Sequence, residues 1–331
     1  MFIHVKSCCT QTEGEREGGS TSWVGMRLVV GVPKHWGTRT RQRLCIAGAV
    51  LLVIMNIVGL IILVDFAAAI KHASVSTLDS VLQSGILRVG ATLDYPPFSL
   101  RCKDGSAAGA DIEAMVSLAR TLGASIQIVP TTWPTLLSDA ADGRFDIAAG
   151  GISITLRRLR RVAMVPIAEA RSSKIAVARC GDHLLSLPLD DLDESSIRVA
   201  VNPGGTNAAF VHDHLPHVQV TNLAQGEQWA NILEAKVNMS VTDSIEARLQ
   251  ALSRPGELCA GLRPLSSLPE TKGFLLPGRS DVAWKQYVQT WLRTQAATYN
   301  HSLEAWLERV ANSTLNDTSA CQRGSAILRP S

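Results

Sequence analysis

The sequence predicts an α/β domain that is preceded by one transmembrane helix. Residues 44–64 read LCIAGAVLLVIMNIVGLIILV and contain no charged side chain. A helix of this length spans about 30 Å, which is the thickness of the hydrocarbon core of a membrane. From residue 79 onward, short apolar runs alternate with segments in which apolar residues recur every three to four positions. This alternation of strand and helix patterns indicates mostly parallel sheets.

The apolar stretch 44–64 predicts a membrane anchor. Basic side chains precede it, and the positive-inside rule therefore leaves residues 1–43 in the cytoplasm and the C-terminal domain on the other side. The alternative is secretion after signal cleavage at the small residues 67–69. We expect the anchor, because the stretch is longer than the roughly 7–15 residues of a signal-peptide core.

Composition excludes several classes of function. With 46% hydrophobic and 18% charged residues, the 331-residue chain can bury a sizeable core. The net charge is only +3, with much of the basic excess in residues 27–43, and this argues against nucleic-acid binding. Zinc-type Cys/His spacing, a phosphate loop and a dinucleotide fingerprint are missing from the sequence. We therefore expect no metal and no cofactor, and a homo-oligomer stays open.

Strands and helices follow in order along the exported part. The segments with strand patterns are ILRVGAT, SIQIVPT, FDIAAGG, KIAVARC, SIRVAVNPGG, VQVTNL, MSVTD and GFLLPG. Those with helical periodicity are SVLQSG, DIEAMVSLARTLG, TLLSDAADG, NAAFVHDHL, GEQWANILEAK, EARLQALS and DVAWKQYVQTWLRTQAATY. Residues 311–331 are expected to be a loose tail.

Polar residues follow five of the predicted strands, where ligands bind in open α/β sheets. They are Asp94 and Tyr95, Thr132 and Trp133, residues 150–155, residues 202–207, and Thr242 and Asp243. We expect these five strand ends to converge on one cleft.

The stretch TDSIEARL, residues 242–249, contains two carboxylates three residues apart, Asp243 and Glu246. This spacing is typical of a capping box, in which the two side chains satisfy free N–H groups at a helix start. The same pair also suits acid–base chemistry, because a carboxyl close to a like charge holds its proton more tightly.

Several motifs in this order resemble the family-3 solute-binding proteins over about residues 78–310. They are RVGATLDYPPFS, DIEAMVSLARTLGA, VPTTWPTLL, DGRFDIAAGGISIT followed by LRR, VNPGGTN and TDSIEARLQ. Within that superfamily, TTWP, NPGGTN and TDSIEARLQ resemble the cyclohexadienyl dehydratases. The resemblance implies the type-II periplasmic-binding fold, a two-lobed clamshell. One lobe would comprise residues 79–174 and 262–310 and the other residues 175–261, with residues 65–78 as a linker from the membrane.

The resemblance also implies a function. Cyclohexadienyl dehydratases remove water and carbon dioxide from prephenate or L-arogenate, and formation of the aromatic ring drives the reaction without a metal or redox cofactor. The hydroxyl is a poor leaving group, so a proton donor is needed. Glu246 matches the general acid of that family, and this moves our expectation away from the capping box. The alternative is a non-catalytic, membrane-anchored binding protein for amino acids or aromatic acids.

Other residues match positions that bind the ligand in the family. Arg158 would hold a carboxylate. Asp243 would meet the amino group of arogenate and also cap the helix that follows it. Lys174 would act as hinge residue or charge partner at the lobe crossing. The remaining expected substrate contacts are Asn202, Asn207, Gly205, Trp133, Thr155 and Tyr95. Asn207 could instead cap a helix after the Pro-Gly turn.

Four cysteines lie after the apolar stretch, at positions 102, 180, 259 and 321. Their connectivity does not follow from the sequence. The resemblance implies a disulfide between Cys180 and Cys259, at the two ends of the second lobe.

Overall fold

A computed structural model describes residues 38–71, 75–279, 281–312 and 321. The chain divides into two units, Met1–Ser74 and Val75–Ser331. The expectations for the basic segment 1–43 and for the tail 311–331 fall largely outside the described residues.

The described part of the first unit is one long helix, α1 (Thr38–Lys71). Its segment Ile46–Leu63 is long and apolar enough to cross a membrane, and none of this segment is buried within the structure. The polar residue Asn56 donates from its side-chain amide to the carbonyl of Leu52 at 2.7 Å, which satisfies it within the helix. The helix extends into the expected linker 65–78, because alanine-rich sequence here favours its continuation.

The second unit alternates helices and strands as the patterns predict. Its helices are α2 (Thr77–Ser84), α3 (Ala110–Thr121), α4 (Leu136–Ala141), α5 (Leu156–Leu159), α6 (Thr206–His214), α7 (Glu227–Leu233), α8 (Ser244–Ser253) and α9 (Val282–Ala311). Its strands are β1 (Ile86–Ala91), β2 (Asp94–Tyr95), β3 (Ser99–Arg101), β4 (Ala107–Ala108), β5 (Ser125–Pro130), β6 (Ile147–Ala148), β7 (Ala163–Ser172), β8 (Lys174–Arg179), β9 (Arg198–Val201), β10 (Gln219–Asn222), β11 (Met239–Asp243), β12 (Leu258–Ala260) and β13 (Glu270–Leu276).

Two five-stranded sheets of the same design form the two lobes. The first has the order β5-β1-β6-β13-β7 and the second β10-β9-β11-β8-β12. In each sheet three neighbouring strands are parallel. In the first sheet β13 is antiparallel to its neighbours β6 and β7, and in the second sheet β8 is antiparallel to its neighbours β11 and β12. A small antiparallel sheet, β2-β3-β4, lies between β1 and α3 in the chain.

The chain passes twice between the sheets. Only Ser173 separates β7 of the first sheet from β8 of the second, and residues 261–269 lead back from β12 to β13. The residues at these crossings therefore lie beside both lobes at once.

Each lobe has its own apolar core. The first core packs β1 and α3 against α9, whose Trp284 and Trp306 are both fully buried. The second packs β9 and β11 against α6, with Val211 and Met239 fully buried.

The sequence patterns did not predict β7. Pro166 lies inside this strand, and a proline normally argues against a strand because it cannot donate a ladder hydrogen bond. The short strands β2, β3, β4 and β12 were also missed, since two or three residues are too few to show a period.

Two disulfides are present among the residues that the structure describes. Cys180, directly after β8, is bonded to Cys259 in β12, as the resemblance implies, and joins neighbouring strands of the second sheet. Cys102 is bonded to Cys321, which holds that distal residue to the loop after β3.

Candidate active site

A cavity lies between the two lobes. Its lining residues are Tyr95, Trp133, Gly151, Ser153, Arg158, Asn202, Gly205, Thr206, Asn207, Gln225 and Asp243. They follow strands of both sheets, so the expected convergence of strand ends occurs. The cavity volume of about 20 Å³ holds about one water molecule. A ligand of ring size therefore enters only when the lobes separate.

Asp243, at the end of β11, is the centre of the charged contacts. Its carboxylate accepts from Lys174 Nζ at 2.9 Å, from the Tyr95 hydroxyl at 2.5 Å and from Lys272 Nζ. Burial by itself raises the pKa of this carboxyl, but Lys272 and Lys174 outweigh burial and hold the pKa well below its ordinary value. Asp243 is therefore ionised at neutral pH and has cationic or hydroxyl donors on both oxygens.

The two lysines are almost completely buried. Lys174 also donates to Asn207 Oδ1 at 2.6 Å and Thr206 Oγ1 at 3.0 Å, and its Nζ lies 3.1 Å from a carboxylate oxygen of Glu270. Lys272 donates to Ser153 Oγ at 2.8 Å as well as to Asp243. Burial lowers the pKa of Lys272, and the charge of Asp243 opposes this shift.

Glu246 is 1% exposed and is held by two neutral side chains. Gln225 Nε2 donates to Oε1 at 2.6 Å, and the Thr242 hydroxyl donates to Oε2. Burial raises the pKa of Glu246 to about 8; the Thr242 hydrogen bond opposes this rise, whereas the charge of Asp243 adds to it. The carboxyl is therefore mostly protonated at neutral pH. Glu246 does not itself line the cavity but contacts Gln225, which does.

Asp243 and Glu246 do not form a capping box. Asp243 occupies the N-cap position of α8, yet its side chain makes no cap hydrogen bond because the lysines and Tyr95 occupy it. The expectation that Asp243 caps the helix is thus wrong.

Two asparagines extend the hydrogen bonds around Glu246. Asn202 donates from Nδ2 to Gln225 Oε1 at 2.8 Å, so it orients the amide that bonds Glu246. Asn207 donates from Nδ2 to Thr242 Oγ1 at 3.3 Å while its carbonyl oxygen accepts from Lys174. Both side chains line the cavity and connect it to the buried acid.

Arg158 lines the cavity from the first lobe and is 6% exposed. Its Nη1 donates to the carbonyl of Ser153 at 2.6 Å. Burial lowers its pKa to about 10, so the guanidinium is still cationic at neutral pH. A guanidinium has five N–H donors in a planar fork, which suits a ligand carboxylate.

Thr155 has a local structural role. Its hydroxyl accepts from the backbone N–H of Arg158 at 3.2 Å and caps α5. It lies on a neighbouring groove of about 980 Å³ rather than in the cavity lining. Trp133, Arg158 and Gly205 also line this groove, so Thr155 lies near three of the other expected substrate contacts but outside the cavity.

Aromatic side chains form one wall of the cavity. The rings of Tyr95 and Trp133 meet edge to face with 5.7 Å between centroids. The Trp133 indole N–H donates to Asp94 at 3.2 Å, which fixes the ring. This wall offers an apolar face to a six-membered ring.

Close approach of the lobes depends on Gly204 rather than on Gly205. Gly204 has a φ of +81°, and a Cβ there would lie 2.7 Å from the backbone nitrogen of Pro134 in the first lobe. At Gly205 the nearest contact of such a Cβ would be Asn202 O at 3.6 Å.

Sequence reasoning missed Lys272 and Gln225, and it included Thr206 in the strand end 202–207 without naming it as a contact. Gln225 follows β10, so the rule of strand ends could have found it. The signal for Lys272 is a lone lysine within the apolar strand pattern KGFLL. Among the described residues, no group of three metal-binding side chains occurs.

Two lobes with a polar site between them are the arrangement of a solute-binding protein. The chain belongs to the bacterial extracellular solute-binding proteins, family 3, which match residues 87–312. It is similar to the cyclohexadienyl dehydratase of Pseudomonas aeruginosa, with 40% identity over 249 residues that cover 73% of this chain and 90% of the relative. The family and the two-lobed α/β fold predicted from the motifs are thereby confirmed. The family is extracellular, and α1 is compatible with an anchor or a signal.

Other relatives cover less of the chain or share only the fold. The L-cystine-binding protein TcyJ of Escherichia coli is 31% identical over 91 residues, 28% of this chain and 34% of the relative. The structure of the ancestral amino acid-binding protein AncCDT-1, a precursor of cyclohexadienyl dehydratase, is 28% identical with a TM-score of 0.63 and covers 70% of this chain and 100% of its own. AbpA from Streptococcus pneumoniae, bound to L-arginine, has a TM-score of 0.64 at 17% identity and covers 71% and 100%.

Proposed function

We propose that this protein is a dehydratase and decarboxylase that converts prephenate to phenylpyruvate, L-arogenate to L-phenylalanine, or both, with Glu246 as general acid. The observation that carries the proposal is a fully buried carboxyl whose pKa is about 8, beside a cleft with cationic side chains. The 40% identity to a cyclohexadienyl dehydratase over most of the chain supports the same reaction.

The reaction requires one proton and no other reactant. Glu246 gives its proton to the ring hydroxyl as the carbon–oxygen bond breaks, and water leaves. The bond to the ring carboxylate breaks at the same time, its electron pair enters the ring, and carbon dioxide leaves. Glu246 then regains a proton from solvent. A pKa near 8 suits this task, because the acid is mostly protonated at neutral pH and still transfers its proton readily.

The other side chains bind and orient the substrate. Arg158 pairs with a substrate carboxylate, and Tyr95 with Trp133 packs against the ring. Asn202 and Asn207 act through Gln225 and Thr242, which hold the acid. A shift of Gln225 on substrate binding opens the path from Glu246 to the leaving hydroxyl, because Gln225 lines the cavity and bonds the acid.

The second candidate is a non-catalytic binding protein for amino acids or aromatic acids. The similarity to AncCDT-1, an amino acid-binding protein, favours it. A binding protein has a use for Arg158 and for the aromatic wall but not for a protonated carboxyl at Glu246.

We also propose that α1 is retained as a single-pass anchor with the second unit on the extracytoplasmic side. The length and hydropathy of Ile46–Leu63 support this topology. Protease added to intact cells or spheroplasts should degrade the second unit while α1 stays in the membrane fraction. Release of the second unit into the medium without α1 would show signal cleavage instead.

The test uses the purified full chain in detergent. Phenylpyruvate formed from prephenate and phenylalanine formed from arogenate are followed for the wild type and for Glu246→Gln. We expect turnover by the wild type and a loss of about a hundredfold or more in the variant, the scale of general-acid catalysis. Tight binding of an aromatic or amino acid without turnover by the wild type would favour the second candidate.

A further inference from the structure

We propose that the buried lysine pair Lys174 and Lys272 makes this cleft select α-oxo acids over the α-amino acids of the same skeleton, with Lys272 as the specificity-determining residue. The inference deepens the proposed function, since it predicts prephenate rather than arogenate as the preferred substrate. It also replaces the expectation that Asp243 meets the amino group of arogenate.

Both carboxylate oxygens of Asp243 already accept hydrogen bonds from the protein. An ammonium group bound by this carboxylate needs a free oxygen lone pair with room in front of it. Oδ1 accepts from Lys174, and Oδ2 accepts from both Lys272 and the Tyr95 hydroxyl. These three donors are buried and belong to both lobes. A ligand ammonium would have to displace one of them.

The charge around Asp243 also disfavours an ammonium group. Lys174 and Lys272 both contact Asp243, and Lys174 also contacts Glu270. Together with Arg158 in the cavity lining, three cationic groups face two carboxylates, so a further ammonium would meet net positive charge in a site with little water to screen it. An oxo group carries no charge and accepts hydrogen bonds from the same donors. The exchange of an ammonium for an oxo group therefore removes this repulsion, and the attraction to Asp243 that is lost is one that the two lysines already satisfy.

No other carboxylate in the described lining of the cavity could bind the ammonium group of a ligand. Asp243 is the one carboxylate among the described residues that line the cavity. Of the nearby acids, Glu270 lies 3.1 Å from Lys174 Nζ, Asp94 accepts from Trp133, and Glu246 is bonded by Gln225 and Thr242. Asp94 and Glu246 are thus hydrogen-bonded, whereas Glu270 Oε2 makes no hydrogen bond to the described residues but is ion-paired with Lys174 and lines the neighbouring groove rather than the cavity.

Lys272 rather than Lys174 sets the preference, because of what else each contacts. Lys174 also holds Asn207 and Thr206, so its removal disturbs several side chains of the cleft. Lys272 bonds only Ser153 and Asp243 among the hydrogen bonds described for its side chain, and its ammonium lies 5.6 Å from the centroid of the Tyr95 ring. Its removal leaves Asp243 Oδ2 with the Tyr95 hydroxyl as its remaining donor and lowers the local charge by one.

The experiment measures binding by calorimetry on the full chain in detergent, with phenylpyruvate, 3-phenylpropanoate and L-phenylalanine as probes. These three differ only in an oxo group, no group or an ammonium group at the α-carbon. We expect phenylpyruvate to bind at least tenfold more tightly than phenylalanine, and phenylalanine to bind more weakly than phenylpropanoate. Phenylalanine binding more tightly than phenylpropanoate would show that an ammonium is accepted, and this would overturn the inference without any variant.

The variant Lys272→Met then assigns the preference. We expect the ratio of the two dissociation constants, phenylalanine over phenylpyruvate, to fall at least tenfold. Lys236→Met is the matched control, because Lys236 is exposed and pairs only with the neighbouring Glu234 in the ion pairs described, so its ratio should equal that of the wild type. An unchanged ratio in a folded Lys272→Met protein would overturn the role of Lys272.

Failure of this inference is distinguishable from failure of the proposed function. Binding does not require turnover, so a protein that prefers phenylpyruvate but converts neither substrate retains the inference and loses the dehydratase. A protein that turns over arogenate as well as prephenate and binds phenylalanine as tightly as phenylpyruvate retains the dehydratase and loses the inference. Binding of none of the three probes would overturn the inference, whereas the turnover assay decides the proposed function separately.

Discussion

Replacement of Glu246 by glutamine should make the protein less sensitive to alkaline pH. The folded-state pKa of Glu246 is about 8, whereas its ordinary value is 4.5. A raised carboxyl pKa means that the folded protein binds a proton which the unfolded chain releases. The contribution of this group to the free energy of unfolding is therefore fully present below pH 4.5 and is lost as pH rises through 8.

The magnitude follows from the pKa. Between pH 6 and pH 8 the folded state keeps the proton and the unfolded state lacks it, so stability falls by about 1.4 kcal/mol per pH unit, or about 3 kcal/mol by pH 9. Glutamine is neutral at every pH, and its amide can accept from Gln225 and donate to Thr242 in place of the carboxyl. The variant should lose none of this stability.

The assay is urea unfolding of the second unit, followed by tryptophan fluorescence, for wild type and Glu246→Gln at pH 6 and pH 9. The buried Trp229 and Trp284 report on the two lobes. The stability of the variant relative to the wild type should rise by about 3 kcal/mol between the two pH values. If the difference in free energy of unfolding between the variant and the wild type is the same at pH 6 and pH 9, Glu246 titrates normally and is not the protonated acid.

Four further results are expected. The kcat of the wild type should fall about tenfold per unit above pH 8, because the acid must be protonated; a flat kcat profile to pH 10 would contradict this. Gly204→Ala should weaken ligand binding at least tenfold in calorimetry, since its Cβ would meet the opposite lobe, whereas Gly256→Ala, which has a similar φ but open space around it, should bind as the wild type does. Arg158→Lys should raise KM by about tenfold or more with a smaller change in kcat, because an ammonium cannot pair with a carboxylate through two bonds; an unchanged KM would exclude a contact with substrate. Replacement of Cys180 and Cys259 by serine should cost about 4 kcal/mol in urea unfolding, as expected for a cross-link 79 residues apart, and a cost below about 1 kcal/mol would contradict the chain-entropy estimate.

The alternation of elements could be predicted from the sequence because it depends on local periodicity. The helix α3 and strands such as β1 and β11 carry several repeats of their period, and each appears where the pattern placed it, whereas α9 begins as predicted but continues twelve residues past Tyr299. The strand β7 could not be predicted in this way. Pro166 contradicts a strand locally, and only the neighbouring β13 supplies the partner that makes the strand stable.

The sequence by itself determined that polar residues follow several strands and that these ends face one cleft, because strand direction in an α/β fold is a consequence of chain order. It could not determine what Asp243 and Glu246 do. The same spacing permits a capping box, and the choice depended on Lys272, Tyr95 and Gln225, which lie far from the pair in sequence or on the other lobe. Burial and ion pairs act between side chains that only the closed tertiary structure brings together. For that reason the structure alone decided that Asp243 is charged and paired while Glu246 keeps its proton.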